Sequence, residues 1–99
     1  MPSQNSLTGR LLLLKQIIMK IEILTPDSRI YEGEIESVRV PGTKGSFQVL
    51  KDHAPIISTL EKGMVRIIDE AGKELIFEID GGVIEVKANK VILLSESVK

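Results

Sequence analysis

The sequence predicts an all-β domain, an antiparallel β-sandwich or flattened barrel, and three observations carry that prediction. Beyond Met19, apolar and polar residues alternate with a period of two: Leu75, Phe77 and Ile79 against Ile76, Glu78 and Asp80, then Ile84 and Val86 against Val83, Glu85 and Lys87. Runs of Ile, Val and Thr dominate, the residue types that fit a pleated, half-buried surface. Turn signals punctuate these runs about every eight to twelve residues, the spacing of a sandwich. Beyond Met19, no window shows a helical stripe with a period of 3.6 residues. Ninety-nine residues make one small domain, and 42% hydrophobic content supplies one modest core.

The chain opens on residues 1–18, which include Leu11-Leu12-Leu13-Leu14-Lys15-Gln16-Ile17-Ile18. An apolar run of eight residues broken by lysine falls far short of the roughly 20 needed to span a bilayer. It also lacks the small-residue cleavage site of a signal peptide. Residues 1–18 are read as an N-terminal extension outside the domain. Three readings of it stay open: a segment absent from the working protein, one without fixed structure, or a short amphipathic docking helix. The domain itself is placed at 19–99.

From Lys20 onward, strands lie between successive turn signals. These fall at Thr25-Pro26-Asp27-Ser28, Pro41-Gly42-Thr43-Lys44-Gly45, Asp52-His53-Ala54-Pro55, Glu61-Lys62-Gly63, Asp69-Glu70-Ala71-Gly72, Asp80-Gly81-Gly82 and Lys87-Ala88-Asn89-Lys90. The stretch from Val40 to Pro55 is the most specific. It reads as a strand, a glycine-punctuated hairpin loop, a second strand, and a rigid corner at His53, Ala54 and Pro55. Met64-Val65-Arg66-Ile67-Ile68 and Val91-Ile92-Leu93-Leu94 are apolar on both faces, so one face is expected to fill the core and the other to meet a protein partner.

Composition excludes several functions. Residues 1–18 hold Arg10 and Lys15 and no acid, leaving 11 basic against 14 acidic groups in the other 81 residues. A mildly acidic domain with three aromatics lacks both the field and the stacking platforms of a nucleic-acid binder. Without cysteine there is no disulfide, thiolate metal site or cysteine nucleophile, a composition that fits a reducing cytoplasm. His53 is the only histidine. Asp52 precedes it, but neighbours on an extended chain point to opposite sides, so no dyad with Ser46 or Ser58 as nucleophile is expected. Glu32, Glu34 and Glu36 alternate along one strand face as a solvated stripe and form no cation site. Gly42-Thr43-Lys44-Gly45 has strands on both sides, where a Walker loop or a KH clamp needs helices, so it reads as a turn. No catalytic, cofactor or metal residues are expected.

Val40–Pro55, followed by Asp80-Gly81-Gly82-Val83-Ile84-Glu85-Val86 and Asn89-Lys90-Val91-Ile92-Leu93-Leu94, resembles the epsilon subunit of F-type ATP synthases from about Lys20 to Glu96. The resemblance implies a sandwich of about ten strands. Its implied function is a non-catalytic subunit of the rotary central stalk that grips the gamma subunit and rests on the c-ring. Ring rotation would pass through it as torque toward ATP synthesis, at the cytoplasmic face of the cell membrane, with membrane contact only through the complex. Gly42, Thr43, Lys44, Gly45, Ser46 and Phe47 match the family's ring-facing hairpin, and His53-Ala54-Pro55 its structural corner. Ser46 and Gln48 stand where many members carry an acid and a glycine. Longer members continue into a helical hairpin that inhibits ATP hydrolysis and in some binds ATP; with Lys99 following the last strand, no hairpin is expected here. The alternatives are a stand-alone β-sandwich that binds a soluble protein and, in third place, a small hydrolase built on His53.

Overall fold

The computed structural model describes residues 18–99. Apart from Ile18, the segment read as an extension therefore lies outside the described residues. Six strands form: β1 (Met19–Leu24), β2 (Arg29–Val40), β3 (Phe47–Leu50), β4 (Ile56–Asp69), β5 (Glu74–Lys87) and β6 (Lys90–Leu94). No helix occurs among the described residues. The strands follow the order β1-β6-β5-β4-β2-β3, and β1 also pairs with β2, which closes a flattened barrel with β3 laid along one edge of β2. Every pairing is antiparallel except β1 with β6.

Six strands replace the ten expected, and the reason is physical. β2, β4 and β5 are 12, 14 and 14 residues long and each serves both layers of the sandwich. Glu61-Lys62-Gly63 and Asp80-Gly81-Gly82, expected as turns, lie inside β4 and β5, whose register continues from Leu60↔Gly82 to Lys62↔Asp80. Between those pairs the Glu61 amide donates to the Pro41 carbonyl at 2.8 Å, and Gly81 and Gly82 take φ of 91° and 152°. The glycines therefore bend the hairpin without reversing it.

The other turns stand where expected. Asp69 caps its loop by accepting from the amides of Ala71 (2.9 Å) and Lys73 (2.8 Å). At the β5–β6 turn, Ala88 and Asn89 both have positive φ, 50° and 63°, as a two-residue type I′ hairpin demands. Alanine is poorly suited to that conformation. Ala88→Asn should raise stability by about 0.5–1 kcal/mol, read as a gain of a few degrees in Tm, because Asn tolerates left-handed backbone without glycine's entropy.

The core is aliphatic. Met19, Ile21 and Ile23 of β1 face Ile35, Val38 and Val40 of β2, Val65 and Ile67 of β4, Ile79, Ile84 and Val86 of β5, and Val91 and Leu93 of β6, all fully buried. Tyr31 and Phe77 close one side, their ring centroids 5.5 Å apart. Burial, and then the carboxylate of Asp69, push the Tyr31 hydroxyl above its usual pKa. Close packing of this kind makes the domain stiff.

Candidate functional site

The loop between β2 and β3 is braced as a rigid projection. Val40 and Phe47 pair at its base, and the Gly45 amide donates to the Gly42 carbonyl at 2.9 Å, closing a turn. Gly42 is buried and bridges to Leu60. A Cβ on Gly42 would come within 2.7 Å of the Gly45 carbonyl oxygen and 2.9 Å of the Phe47 ring, so only glycine fits. Gly45, at φ 125°, completes the turn from open space. The loop is then pinned to β4. The Thr43 amide donates to the Thr59 carbonyl (3.1 Å), and the hydroxyls of Thr43 and Thr59 share a hydrogen bond of 2.8 Å. Thr43, Lys44, Gly45 and Ser46 stay exposed while Phe47 packs against the core.

The His53-Ala54-Pro55 corner is held by local bonds. The His53 amide donates to the Leu50 carbonyl (3.2 Å), and His53 Nδ1 donates to the Ala54 carbonyl (2.8 Å). Asp52 turns away from the imidazole. Its amide donates to Asn89 Oδ1 (2.6 Å) and its Oδ1 accepts from Asn89 Nδ2 (3.0 Å), clipping the corner to the β5–β6 turn. The partner is a side chain 37 positions away along the chain. No Asp52–His53 pair forms, and Ser46 donates nothing to His53: its hydroxyl accepts from Arg39 (3.2 Å). His53→Ala should cost about 1 kcal/mol through the lost Nδ1 bond. A denaturant melt checks this, and a hydrolytic turnover that vanished with the substitution would overturn the non-enzymatic reading.

The outer face of β4, β5, β6 and β1 carries the second expected surface. Thr59, Val83, Leu94 and Leu24 are successive cross-strand partners, and so are Ile57, Glu85, Ile92 and Glu22. Ile57 is 72% exposed and Leu94 50%, although both belong to strands whose other face fills the core. Two-sided apolar strands thus leave an aliphatic patch in water, with Glu85 at its middle. Among the described residues no three His, Cys, Asp or Glu side chains converge on a metal-sized site. Nor is any helix long and apolar enough to cross a membrane.

Residues 18–99 match the family described as ATP synthase, Delta/Epsilon chain, beta-sandwich domain. The chain belongs to this family. Over 79 residues it is 44% identical to the ATP synthase epsilon chain of Chlorobium limicola, covering 80% of this chain and 90% of that one. Over 78 residues it is 47% identical to the epsilon chain of Chlorobaculum tepidum, covering 79% and 89%. An epsilon chain of Leptospira interrogans is 34% identical over 79 residues, and the match spans 61% of its length. In fold, the domain matches a chain of the Euglena gracilis mitochondrial ATP synthase with a TM-score of 0.79 at 19% identity, covering 84% of this chain and 53% of that one. It also matches a chain from the central stalk and c-ring of the Tetrahymena thermophila enzyme, with a TM-score of 0.69 at 17% identity, covering 82% and 65%. The epsilon family supplies a subunit of ATP synthase and not its catalyst, in line with the non-catalytic reading of the sequence.

Proposed function

We propose that this domain couples rotation in an F-type ATP synthase, with the braced loop Gly42–Ser46 as a foot on the c-ring and the aliphatic face around Ile57, Val83 and Leu94 gripping gamma. Residues 19–99 are the working unit, seated on the cytoplasmic side of the membrane and reaching it only through the complex. The observation that carries the reading is the foot itself. A coupling element must not bend under load, and this loop is tied to β4 through Pro41, Gly42 and Thr43 and plugged from beneath by Phe47. Its bonds join it to the long β4–β5 hairpin, whose outer face carries the aliphatic patch, so a push on the foot is delivered to that patch through hydrogen-bonded backbone.

The test is Gly42→Ala in reconstituted vesicles. An added Cβ pushes the Gly45 carbonyl and the Phe47 ring aside and reshapes the foot while the core stays closed. The ratio of proton-driven ATP synthesis to hydrolysis should fall at least about twofold. Ile57→Glu with Leu94→Glu should weaken capture by gamma more than about tenfold, since both charges enter an apolar contact. Folded variants with normal coupling and normal gamma capture would remove the proposal.

A further inference from the structure

Beside the foot, the outer face of β2 and β4 carries a feature that neither the fold nor the foot explains. Arg39 and Arg66 are direct cross-strand partners, an arrangement of like charges that costs stability. Arg66 holds Glu74 through Nε at 3.2 Å. Arg39 has no carboxylate partner among the described residues, only the Ser46 hydroxyl, and residues 1–17 contain no Asp or Glu that could supply one. The two guanidiniums line a shallow groove of about 210 Å³ with Val40, Pro41, Ser46 and Met64, and no acid lines it. Met64 is 59% exposed, so the groove has an apolar wall under its charges. A chain of net charge −1 thus leaves Arg39 without a carboxylate beside Arg66, which already holds one, in a groove continuous with the foot through Ser46.

We infer that this groove receives a carboxylate from the protein beneath the foot, an Asp or Glu on the polar loop of the ring subunit. The inference rests on the reading of Gly42–Ser46 as ring-facing and adds the chemistry of the contact. Paired guanidiniums present flat forks of N–H donors, which match the two oxygens of a carboxylate. The incoming charge also gives Arg39 the counter-charge that Glu74 already gives Arg66, which removes what remains of the repulsion between them. Pro41 and Met64 offer the carboxylate's methylene stem an apolar seat and exclude part of the water that would screen the pair.

Arg39→Lys in the assembled ATP synthase tests this directly, because a carbodiimide joins Lys Nζ to a touching carboxylate as an amide with loss of water. Mass spectrometry should find the lysine at position 39 joined to an Asp or Glu of the ring subunit. The double substitution Arg39→Gln with Arg66→Gln should weaken rebinding of the full chain to isolated c-ring in detergent by about tenfold at low salt, and by less as salt rises. Absence of the cross-link, with the double variant rebinding like wild type, overturns the inference. If Gly42→Ala still uncouples in that case, the foot stands and only its charge chemistry falls. A cross-link to a different subunit overturns the ring assignment of groove and foot together.

Discussion

Gly82→Ala should be the most damaging single-methyl change in the domain. At φ 152° the backbone of residue 82 lies where an L side chain is strained. An added Cβ there would also collide with the Leu94 carbonyl oxygen and crowd the Leu94 carbonyl carbon at 3.1 Å. These are backbone atoms of the neighbouring strand β6, fixed by the Val83↔Leu94 pairing, so no side chain can rotate out of the way. Strain of about 1–2 kcal/mol adds to an overpacking cost of about 1–3 kcal/mol. For a domain this size the sum, about 2–5 kcal/mol, is a large share of total stability and corresponds to a Tm lower by about 10–40 °C. Gly81→Ala is the control. Its φ of 91° is strained too, but the Cβ would meet only the Leu60 oxygen at 3.4 Å, ordinary contact, so the loss should stay near 1–2 kcal/mol. Equal losses at the two positions would show that conformation and not collision sets the cost.

That glycine pair also marks the boundary of what the sequence makes legible. Leu75, Phe77 and Ile79 announce an inward face, and the structure buries Ile79 and packs the half-buried Leu75 and Phe77 against the core. The loop at Gly42–Gly45 is equally readable, since two glycines between apolar runs state a need for positive φ or close approach. Asp80-Gly81-Gly82 carries the same signal yet sits within a continuous strand. Glycine reports a backbone requirement and says nothing about whether the chain reverses there; that is settled by Glu61, whose amide leaves β5 for Pro41. Contacts between distant residues are beyond pattern reading for the same reason. Nothing local in Asp52 or Asn89 points to their mutual bonds across 37 positions. The Arg39–Arg66 pairing depends on an irregularity between Ile35 and Ser37 that shifts the register of β2 against β4. A one-residue slip exchanges the faces of a strand, so this register decides which charges meet.

Removing Ser95–Lys99 should destabilise the domain by about 2–4 kcal/mol while leaving ATP hydrolysis by the assembled enzyme unchanged. The structure folds these five residues back onto β5. Lys99 and Glu78 exchange both backbone bonds, at 2.8 and 3.0 Å, and the Asp80 amide donates to the Ser97 carbonyl at 3.2 Å. Val98 packs against the core. Ser95 is buried; its amide donates to the Leu24 carbonyl (3.0 Å) and its hydroxyl to the Gly81 carbonyl (2.6 Å), which fixes the bend of β5 from outside. The tail therefore bridges the edge of β5 at Ile79 and Val98, covering amides that β6 leaves free where its own pairing begins at Val83. Each lost bond is worth about 1 kcal/mol net, and the uncovered edge would become a template for association with other strands. Ser95→Ala alone should cost about 1–2 kcal/mol, because the Gly81 carbonyl loses its donor inside the fold. Urea melts of the two variants measure the stability arm, with the truncated chain watched for concentration-dependent association by light scattering. Hydrolysis is compared at a temperature where the truncated chain remains folded. A truncation that left the melt unmoved would show that the edge pairing carries no weight. One that released strong hydrolysis would show that these residues act on the catalytic head, and the purely mechanical role proposed for the domain would have to be given up.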